Sequence, residues 1–549
     1  MRAAVRLGAA VITAALVAGC VGAQDPVTPP TEATTAPQDP NALRQRAFSL
    51  AQRGEASDAA EAFLALAEVE PTEPEWLVQA GDQMGKAGRF NDAMDLLETA
   101  RKRFPDALSL TAMLARIYHL KADHMVAQGV RDANVIFYYE DAARTARQVT
   151  DVDPDHLDAR LIVASAFYQL GNLDAALAEA EEAVRRRPDA YGGQAMVGRV
   201  RFQRFVQARG ELGAEGLESE RRDELTKQAA ADQDAARAAF EAATEADAAR
   251  SFPRARLGDL AAWSGNLEAA KRWYGEALAL DPKAQVDHAW LRTAVPGEDR
   301  RTLYAEARSR YAKGTDAAPR SIGTLRWYEA QSVFDQAANV PATEPPATRT
   351  ALWKTAADLF AEAWREVPDY VDTGWWLVQS LYWGGDATAA SEAAVDFAQR
   401  DAQRFADMIR RDEQTVAALV GMAATAYGKG RLADSRDLNL VLAYARQTAD
   451  AWNNYAFLCR ETGRYEQSLG AYEEALRIEP ESPQLLNDAA VILHYHIRSD
   501  EALQQARRYY QDAIRLAEAQ LKAGGLDDAT IDRTRTALRD ARANLSKLR

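Results

Sequence analysis

The sequence predicts an all-α protein built as a helical solenoid, and three observations support this prediction. Alanine is abundant and runs of β-branched residues are rare, which favours helices over strands. Apolar residues recur three and four positions apart, as they do on one face of a helix. The same order of small and apolar residues then returns in blocks of about 34 residues, which indicates a stack of helical units.

The N-terminus predicts an exported, lipid-anchored protein. Arg2 and Arg6 precede an apolar run over residues 7–18, which is too short to span a bilayer and is laid out as a secretory signal. The stretch Leu16-Val17-Ala18-Gly19-Cys20 resembles a bacterial lipoprotein box. This resemblance implies cleavage after residue 19 and acylation of Cys20. An ordinary signal peptide cut near Ala23 is the alternative.

The residues after Cys20 predict an extended tether and a location. Residues 20–40 are rich in Pro and Thr and have no apolar period, so they can hold the folded part roughly 60 Å from a membrane. Residue 21 is Val and not Asp, which in enteric bacteria favours the outer membrane. We therefore expect the periplasmic face of the outer membrane.

Charge and cysteine content argue against a nucleic-acid partner and against an intramolecular disulfide. Removal of residues 1–19 takes two arginines from a formal net charge of −15 and leaves −17. Such an acidic chain is repelled by phosphate backbones, so we expect no nucleic-acid partner. Cys20 and Cys459 are the only cysteines in the sequence, so acylation of Cys20 precludes an intramolecular disulfide.

The recurring pattern is clear in residues 449–482, where the order is Trp452, Tyr455, Ala456, Cys459, Gly463, Tyr465, Ser468, Tyr472, Ala475 and Pro480. Residues 74–107, 157–190 and 251–284 repeat it. The pattern resembles the tetratricopeptide repeat, a helix–turn–helix unit of 34 residues. This resemblance implies a right-handed superhelix of antiparallel helix pairs with a concave groove.

Each recurring residue type has a physical role. Small residues such as Ala456 and Ala475 let two helices cross closely. Gly463 supplies the positive φ that ends the first helix, and Pro480 stops the second. Cys459 then falls on the core stripe of the first helix. We therefore expect it to pack as a small apolar residue rather than to act as a nucleophile.

The copies predict an N-terminal array over residues 41–284, a degenerate junction over 285–318 and a C-terminal array over 319–549. Further copies are predicted at residues 108–154, 191–250, 319–370, 371–404, 416–449 and 483–516. Insertions near 121–134, over 211–237 and over 339–350 widen three of them. The amphipathic tail at 538–549 is expected to form a helix that caps the last copy.

Motifs for catalysis and metal binding are missing from the sequence. It contains no HExxH, CxxC, GxSxG, Walker or dinucleotide-binding motif, so we expect no catalytic residue and no cofactor. His494 and His496 are two positions apart on a predicted helix and point to nearly opposite sides, which argues against a metal site.

In the tetratricopeptide family the groove is lined by first-helix residues outside the core stripe. The resemblance thus implies a partner-binding groove that contains Trp263, Trp375, Gln379, Tyr382, Trp383, Asn453, Phe457, Arg460, Asn487 and Tyr495. Aromatic side chains often dominate binding energies. Trp376 is expected in the core, whereas groove and core are both open for Trp375 and Trp383. A grip on a terminal carboxylate by Asn453, Arg460 and Asn487 is disfavoured, because paired lysines are missing.

The resemblance implies a scaffold that binds protein partners in assembly or secretion at the bacterial envelope. Fold alone does not fix function, so two alternatives stay open. One is a carbohydrate-binding surface lipoprotein that uses the aromatic residues as platforms. The other is an enzyme with an unrecognised site in residues 285–350. Oligomeric state is not predicted.

Overall fold

The computed structural model describes residues 39–315 and 317–548. Within these ranges the chain forms 25 α-helices and one short π-helix, with no strand. The all-α prediction is therefore confirmed. The predictions for the signal peptide, for Cys20 and for nearly all of the tether fall on residues 1–38 and lie outside the described residues.

The chain divides into two compact units, Met1–Ala166 and Phe167–Arg549. The first unit contains the helices α1 (Pro40–Gln52), α2 (Ala56–Val69), α3 (Glu75–Lys86), α4 (Phe90–Arg103), α5 (Leu108–Ala127) and α6 (Ala133–Val152). The unit boundary falls within α7 (Leu157–Gln169). Phe63, Leu97 and Leu114 lie in the core of the first unit.

The second unit continues the succession of helix pairs. Its first half contains α8 (Leu173–Arg186), α9 (Tyr191–Leu212), α10 (Ser219–Ala246), α11 (Phe252–Trp263), α12 (Leu267–Leu280), α13 (His288–Ala294), α14 (Gly297–Tyr311), α15 (Pro319–Ala338) and α16 (Pro346–Glu366). Its second half contains α17 (Asp372–Trp383), α18 (Ala387–Ile409), α19 (Glu413–Gly428), α20 (Leu432–Arg446), α21 (Ala449–Glu461), α22 (Tyr465–Ile478), α23 (Pro483–Ile492), the π-helix (Leu493–Ile497), α24 (Asp500–Ala523) and α25 (Asp528–Lys547).

The pair α21–α22 shows how the recurring residues produce the fold. Ala456 and Ala475 are fully buried where the two helices cross. Gly463 has φ of 73° in the turn between them, a conformation that suits glycine. α22 ends at Ile478, two residues before Pro480. Cys459 is fully buried as well, which confirms its predicted place in the core.

Several pairs contain helices that are longer than the repeat requires. The helices α5 and α6 have 20 residues each, and α10 has 28, whereas α3 and α11 have 12. The predicted insertions near 121–134 and over 211–237 are thus largely helical extensions. The third insertion is a shorter loop than expected, because α16 begins at Pro346, where a proline fits the first helical turn.

The sequence pattern did not predict a break in α18. Asp401 leaves helical geometry, with φ of −159° and ψ of 84°, and its carboxylate accepts a hydrogen bond of 2.8 Å from the backbone N–H of Arg404. A new helical stretch starts there, and we call residues 402–409 the inserted segment. The Arg404 guanidinium donates to both carboxylate oxygens of Asp372 at 2.7 and 2.6 Å, which fixes the inserted segment against the start of α17.

The described part of the predicted junction contains the helices α13 and α14. The imidazole of His288 stacks on Tyr328 with ring centroids 3.8 Å apart, and it shares a hydrogen bond of 2.8 Å with the Tyr304 hydroxyl. The guanidinium of Arg300 is buried and donates to Asp335 at 2.8 Å. The short helix α13 is thus held to α14 and α15 by polar contacts as well as by apolar ones.

Among the described residues, no helix combines the length and the apolar character that crossing a membrane requires.

Candidate functional site

Five exposed aromatic residues lie in four helix pairs, at one of two adjacent positions near the end of the first helix. Each stands two or three residues before the left-handed residue that ends the first helix of its pair, as Trp383 stands before Gly385 and Tyr427 before Gly430. We call them the turn aromatics, and they are Trp263, Tyr382, Trp383, Tyr427 and Tyr495. Trp263 is 51% exposed and Trp383 is 47% exposed, which is unusual for such large rings.

Trp375 and Trp383, for which the sequence allowed either a groove or a core position, have different environments. Trp375 is only 8% exposed and belongs to the main apolar cluster of the second unit. Phe405 of the inserted segment covers it, with ring centroids 6.0 Å apart. Trp375 is therefore a core residue, and of the two only Trp383 presents its ring to solvent. Trp376 is half-buried against Phe334 and Phe360.

The side chains of Trp375, Gln379, Tyr382 and Trp383 are brought together in one small hollow between α17 and α19. Phe405 closes part of it. The remaining space is about 20 Å³, enough for a single water molecule but not for a larger ligand.

Trp263 lies in a separate aromatic group. Its ring meets the edge of Phe205 at 5.8 Å, and the guanidinium of Arg209 lies 5.7 Å from its centroid. Both partners belong to the lengthened part of α9. The extension therefore supports one face of Trp263 and leaves about half of its surface open.

The predicted polar residues of α21 do not converge on one point. Asn453 lines a hollow beside the loop that precedes α23. Phe457 faces Tyr427, with ring centroids 6.4 Å apart, and belongs to another hollow. Arg460 lies over Phe457 at 5.0 Å and pairs with Glu461 at 3.1 Å. Its charge is thus partly engaged within the protein.

The last two predicted groove residues lie against the C-terminal helix. Asn487 is buried, and its amide donates to Asp488 at 3.1 Å. The Tyr495 hydroxyl donates to Asn544 of α25 at 3.1 Å. Asn487 therefore offers little surface to a partner, and Asn453, Arg460 and Asn487 have separate surroundings.

A larger hollow lies between α19, α20 and α21. It measures about 540 Å³ and is lined by Tyr427, Phe457, Asn439 and Asn454 among others. Sequence reasoning did not select Tyr427, Asn439 or Asn454. The place of Tyr427 before Gly430 is a signal that could have found it. Asn439 lies on a second helix, which the groove rule does not consider.

Buried titratable groups have structural partners. Burial raises the pKa of Asp259 to about 6, and its carboxylate accepts a hydrogen bond of 2.6 Å from Tyr274. Burial also lowers the pKa of His288 to about 4 and raises the pKa of Cys459. A thiol with a raised pKa is a poor nucleophile at neutral pH.

The histidines near the C-terminus point apart. His494 stacks on Tyr495, and His496 stacks on Tyr465. In the part of the chain that the structure describes, no group of three His, Cys, Asp or Glu side chains is placed to hold a metal ion.

Comparisons with known proteins found matches to two family models and to solved structures. Family models described as tetratricopeptide repeat match residues 139–191 and 449–482. YrrB, a TPR protein with an unusual peptide-binding site, is 16% identical, with 43% of this chain and 98% of that chain covered and a TM-score of 0.27. MamA from Desulfovibrio magneticus RS-1 is 14% identical, with 36% and 96% covered and a TM-score of 0.26. No curated protein matches the sequence.

Proposed function

The chain is a tetratricopeptide-repeat protein, and from this premise we propose that it is a lipid-anchored scaffold for protein partners in bacterial envelope assembly or secretion. The repeats support a role in protein–protein interaction. Acylation at Cys20 and a place on the periplasmic face of the outer membrane are the remaining parts of the proposal. They rest on the N-terminal sequence alone. The scaffold role requires no catalytic step.

The observation that carries the proposal is the recurrence of the turn aromatics. Large exposed rings recur near the end of the first helix in four helix pairs and so present one type of contact repeatedly along the chain. Aromatic side chains bury much area and have few rotatable bonds, so they lose little entropy when a partner covers them. They are therefore suited to a protein partner that contacts several repeats.

Carbohydrate binding is less well supported by the geometry near Trp383. A sugar platform needs an open space above the ring, with polar groups around it. The hollow beside Trp383 has space for about one water molecule and is lined mainly by apolar side chains. We therefore expect polypeptide rather than glycan ligands at this place.

The direct test is crosslinking in intact cells, followed by capture from detergent-solubilised membranes and mass spectrometry. Wild type is compared with a variant that carries Tyr382→Ala and Trp383→Ala, both at exposed positions. We expect wild type to capture one specific envelope protein and this variant to lose it. Phe137→Ala removes a ring that is also exposed but is not a turn aromatic, so it serves as the matched control.

The same comparison can refute the proposal. Equal capture by wild type and the double variant would show that these rings are not part of the binding surface. If no protein is captured by wild type and a glycan array gives a ligand that needs Trp383, the carbohydrate alternative is correct.

The anchor is tested separately by detergent phase partition of cell extracts. Wild type is expected in the detergent phase, and Cys20→Ala is expected in the aqueous phase, because two or three acyl chains provide the stable attachment. Unchanged partition of Cys20→Ala would contradict the lipoprotein assignment and would leave the scaffold proposal intact.

A further inference from the structure

A polar cluster in the first unit has the geometry of a nucleophile, a base and a group that orients the base. The Nε2 atom of His119 lies 2.9 Å from the Oγ atom of Ser165, and its Nδ1 atom lies 3.2 Å from a carboxylate oxygen of Asp123. The other carboxylate oxygen of Asp123 accepts a hydrogen bond of 2.6 Å from the Tyr139 hydroxyl. These distances suit nucleophilic catalysis. We call Ser165, His119 and Asp123 the serine cluster.

The lengthened helix α5 supplies two members of the serine cluster. His119 and Asp123 are four residues apart, so their side chains lie on one face of α5. A helix of 12 residues that began at Leu108, with the length of α3, would end at residue 119. Asp123 therefore lies in the extension that gives α5 its 20 residues. Ser165 lies on α7, 46 residues after His119 but within the first unit, so no local sequence motif links the members.

The hydrogen bonds determine which nitrogen of the His119 ring carries the hydrogen atom. An ionised carboxylate can only accept, so Asp123 holds the hydrogen atom on Nδ1 of the neutral imidazole. The lone pair of Nε2 then accepts the hydrogen bond that the Ser165 hydroxyl donates. In this arrangement an imidazole can take the proton of a serine hydroxyl as the oxygen attacks a carbonyl carbon.

The His119 ring is held in place, and the serine cluster lies at the protein surface. Tyr139 meets the imidazole edge-on with ring centroids 5.4 Å apart, and the side chain of His119 is only 14% exposed. A base that is already oriented loses little entropy in the reaction. Ser165 is half-buried, and the side chain of Asp123 is 42% exposed. A small acyl group can therefore approach the Ser165 hydroxyl more easily than a bulky one.

We propose that the serine cluster is a nucleophilic site that accepts the acyl group of small carboxylic esters. Ser165 is the nucleophile, His119 is the general base, and Asp123 and Tyr139 are positioning residues. This inference goes beyond the proposed scaffold function and does not rest on it, because the turn aromatics all belong to the second unit.

The reaction is an acyl transfer in two steps. The Oγ atom of Ser165 forms a bond to the carbonyl carbon of the ester, and the hydroxyl proton passes to Nε2 of His119. The bond from that carbon to the alkoxy oxygen breaks, and the departing oxygen takes the proton, so an alcohol leaves. A water molecule then attacks the acyl-serine and gives its proton to His119, which returns it to Ser165 as the carboxylic acid departs. The balance is one ester and one water converted to one alcohol and one acid.

The test treats the full chain in detergent with a fluorophosphonate, a reagent that reacts with activated serines. Peptide mapping by mass spectrometry then locates the label, and we expect it on Ser165. This measurement uses wild type alone, so it does not depend on the folding of any variant. Release of p-nitrophenol from p-nitrophenyl acetate measures the acyl transfer itself.

Matched variants identify the nucleophile and the base. Ser165→Ala and His119→Gln are each expected to lower the rate of p-nitrophenol release by about 100-fold or more, because a general base contributes about 10²–10⁴-fold. Ser109→Ala removes another half-buried serine of the first unit and is expected to leave the rate unchanged. Each variant is assayed well below its melting temperature, so that unfolding does not account for a lower rate.

The positioning role of Asp123 has a separate test. In Asp123→Asn the side-chain amide can donate to Nδ1, which moves the ring hydrogen atom to Nε2 and removes the acceptor for Ser165. We expect the rate to fall by about 100-fold or more. The wild-type rate should follow the titration of one imidazole and then level off, whereas the rate of His119→Gln should keep rising with hydroxide concentration. A merely structural role of His119 would not change the form of this pH profile.

Two results overturn the inference. The first is a wild-type protein in which the fluorophosphonate does not label Ser165. The second is a His119→Gln variant with the rate and pH profile of wild type. In either case the serine cluster is a structural hydrogen-bond network between α5 and α7. Capture of an envelope protein by Ser165→Ala is expected to equal that of wild type, so failure of this inference and failure of the scaffold proposal are distinguishable.

Discussion

At the scale of single residues, buried tyrosines of the second helices find polar partners on the first helices. The Tyr274 hydroxyl donates to Asp259, and Tyr304 shares a hydrogen bond with His288. Tyr139 donates to Asp123 at 2.6 Å in the same manner. A buried hydroxyl without a partner would be destabilising by about 1–3 kcal/mol. The buried groups Asp259 and His288 therefore have a structural reason to lie among apolar neighbours.

Substitution by alanine at two helical glycines is expected to change stability in opposite directions. A Cβ atom at Gly258 would lie 2.4 Å from the ring of Tyr274, whereas one at Gly421 would meet nothing within 4 Å. Gly258→Ala is expected to destabilise the protein by about 1–3 kcal/mol through overpacking. Gly421→Ala is expected to stabilise it by about 0.5–1 kcal/mol, since alanine favours helix. Urea unfolding midpoints measure both effects, and similar stabilisation in both variants would show that crossing distance does not matter.

Because His288 is buried, we expect the folded protein to lose stability in acid. Its pKa is lowered to about 4 in the folded protein by burial, compared with 6.5 for a free imidazole. The favourable contribution is therefore complete above pH 6.5 and disappears as pH falls towards 4, at most by about 3 kcal/mol. In urea unfolding between pH 7 and pH 4, His288→Gln is expected to lose less stability than wild type.

The contribution of Asp259 to stability changes with pH in the opposite direction to that of His288, so Asp259→Asn serves as a control. The pKa of Asp259 is raised to about 6, so its contribution is present at low pH and is lost as pH rises from 4 to 6. The Asp259→Asn variant should therefore lose less stability than wild type as pH rises through this range. If the free energy of unfolding changed with pH equally in wild type and in both variants, the burial of these two groups would be contradicted.

At the scale of elements, the regular pairs were predictable and the inserted segment was not. Gly463, Ala456 and Pro480 act within their own helix pair, so a repeating pattern is enough to place them. The burial of Trp375 depends on contact with Phe405, which is 30 residues further along the chain and does not occupy a position of the repeat pattern. Likewise, the hollow that contains Asn454 depends on the spacing of three helices, which local periodicity does not encode.

The inserted segment can be tested by removing its anchor. Phe405 is buried between Trp375 and Phe397, so Phe405→Ala is expected to cost about 3–5 kcal/mol locally. Hydrogen exchange followed by mass spectrometry should show faster exchange in residues 372–383 and 402–409. Phe137→Ala, at an exposed ring, should change stability by less than about 0.5 kcal/mol. Unaltered exchange in Phe405→Ala would mean that the ion pair of Arg404 with Asp372 and the buried Ile409 suffice to hold the segment.

At the scale of the whole molecule, the described helix pairs within each unit pack mainly on the adjacent pair in the chain. The helix α25 covers the last pair, where Ala537 and Ala541 are buried and Asn544 meets Tyr495. Deletion of residues 528–549 should therefore increase hydrogen exchange in α23 and α24 and leave exchange in α1–α6 unchanged. A loss of protection throughout the chain would show instead that the array unfolds as one cooperative body.

The buried thiol of Cys459 gives the protein a built-in reporter. If Cys20 is acylated, Cys459 is the single free sulfhydryl of the mature chain. It is fully shielded between α21 and α22, so a colourimetric thiol reagent can reach it only during transient opening of that pair. The labelling rate at increasing reagent concentration thus reads the opening equilibrium of the pair that forms one wall of the hollow, without any probe being introduced.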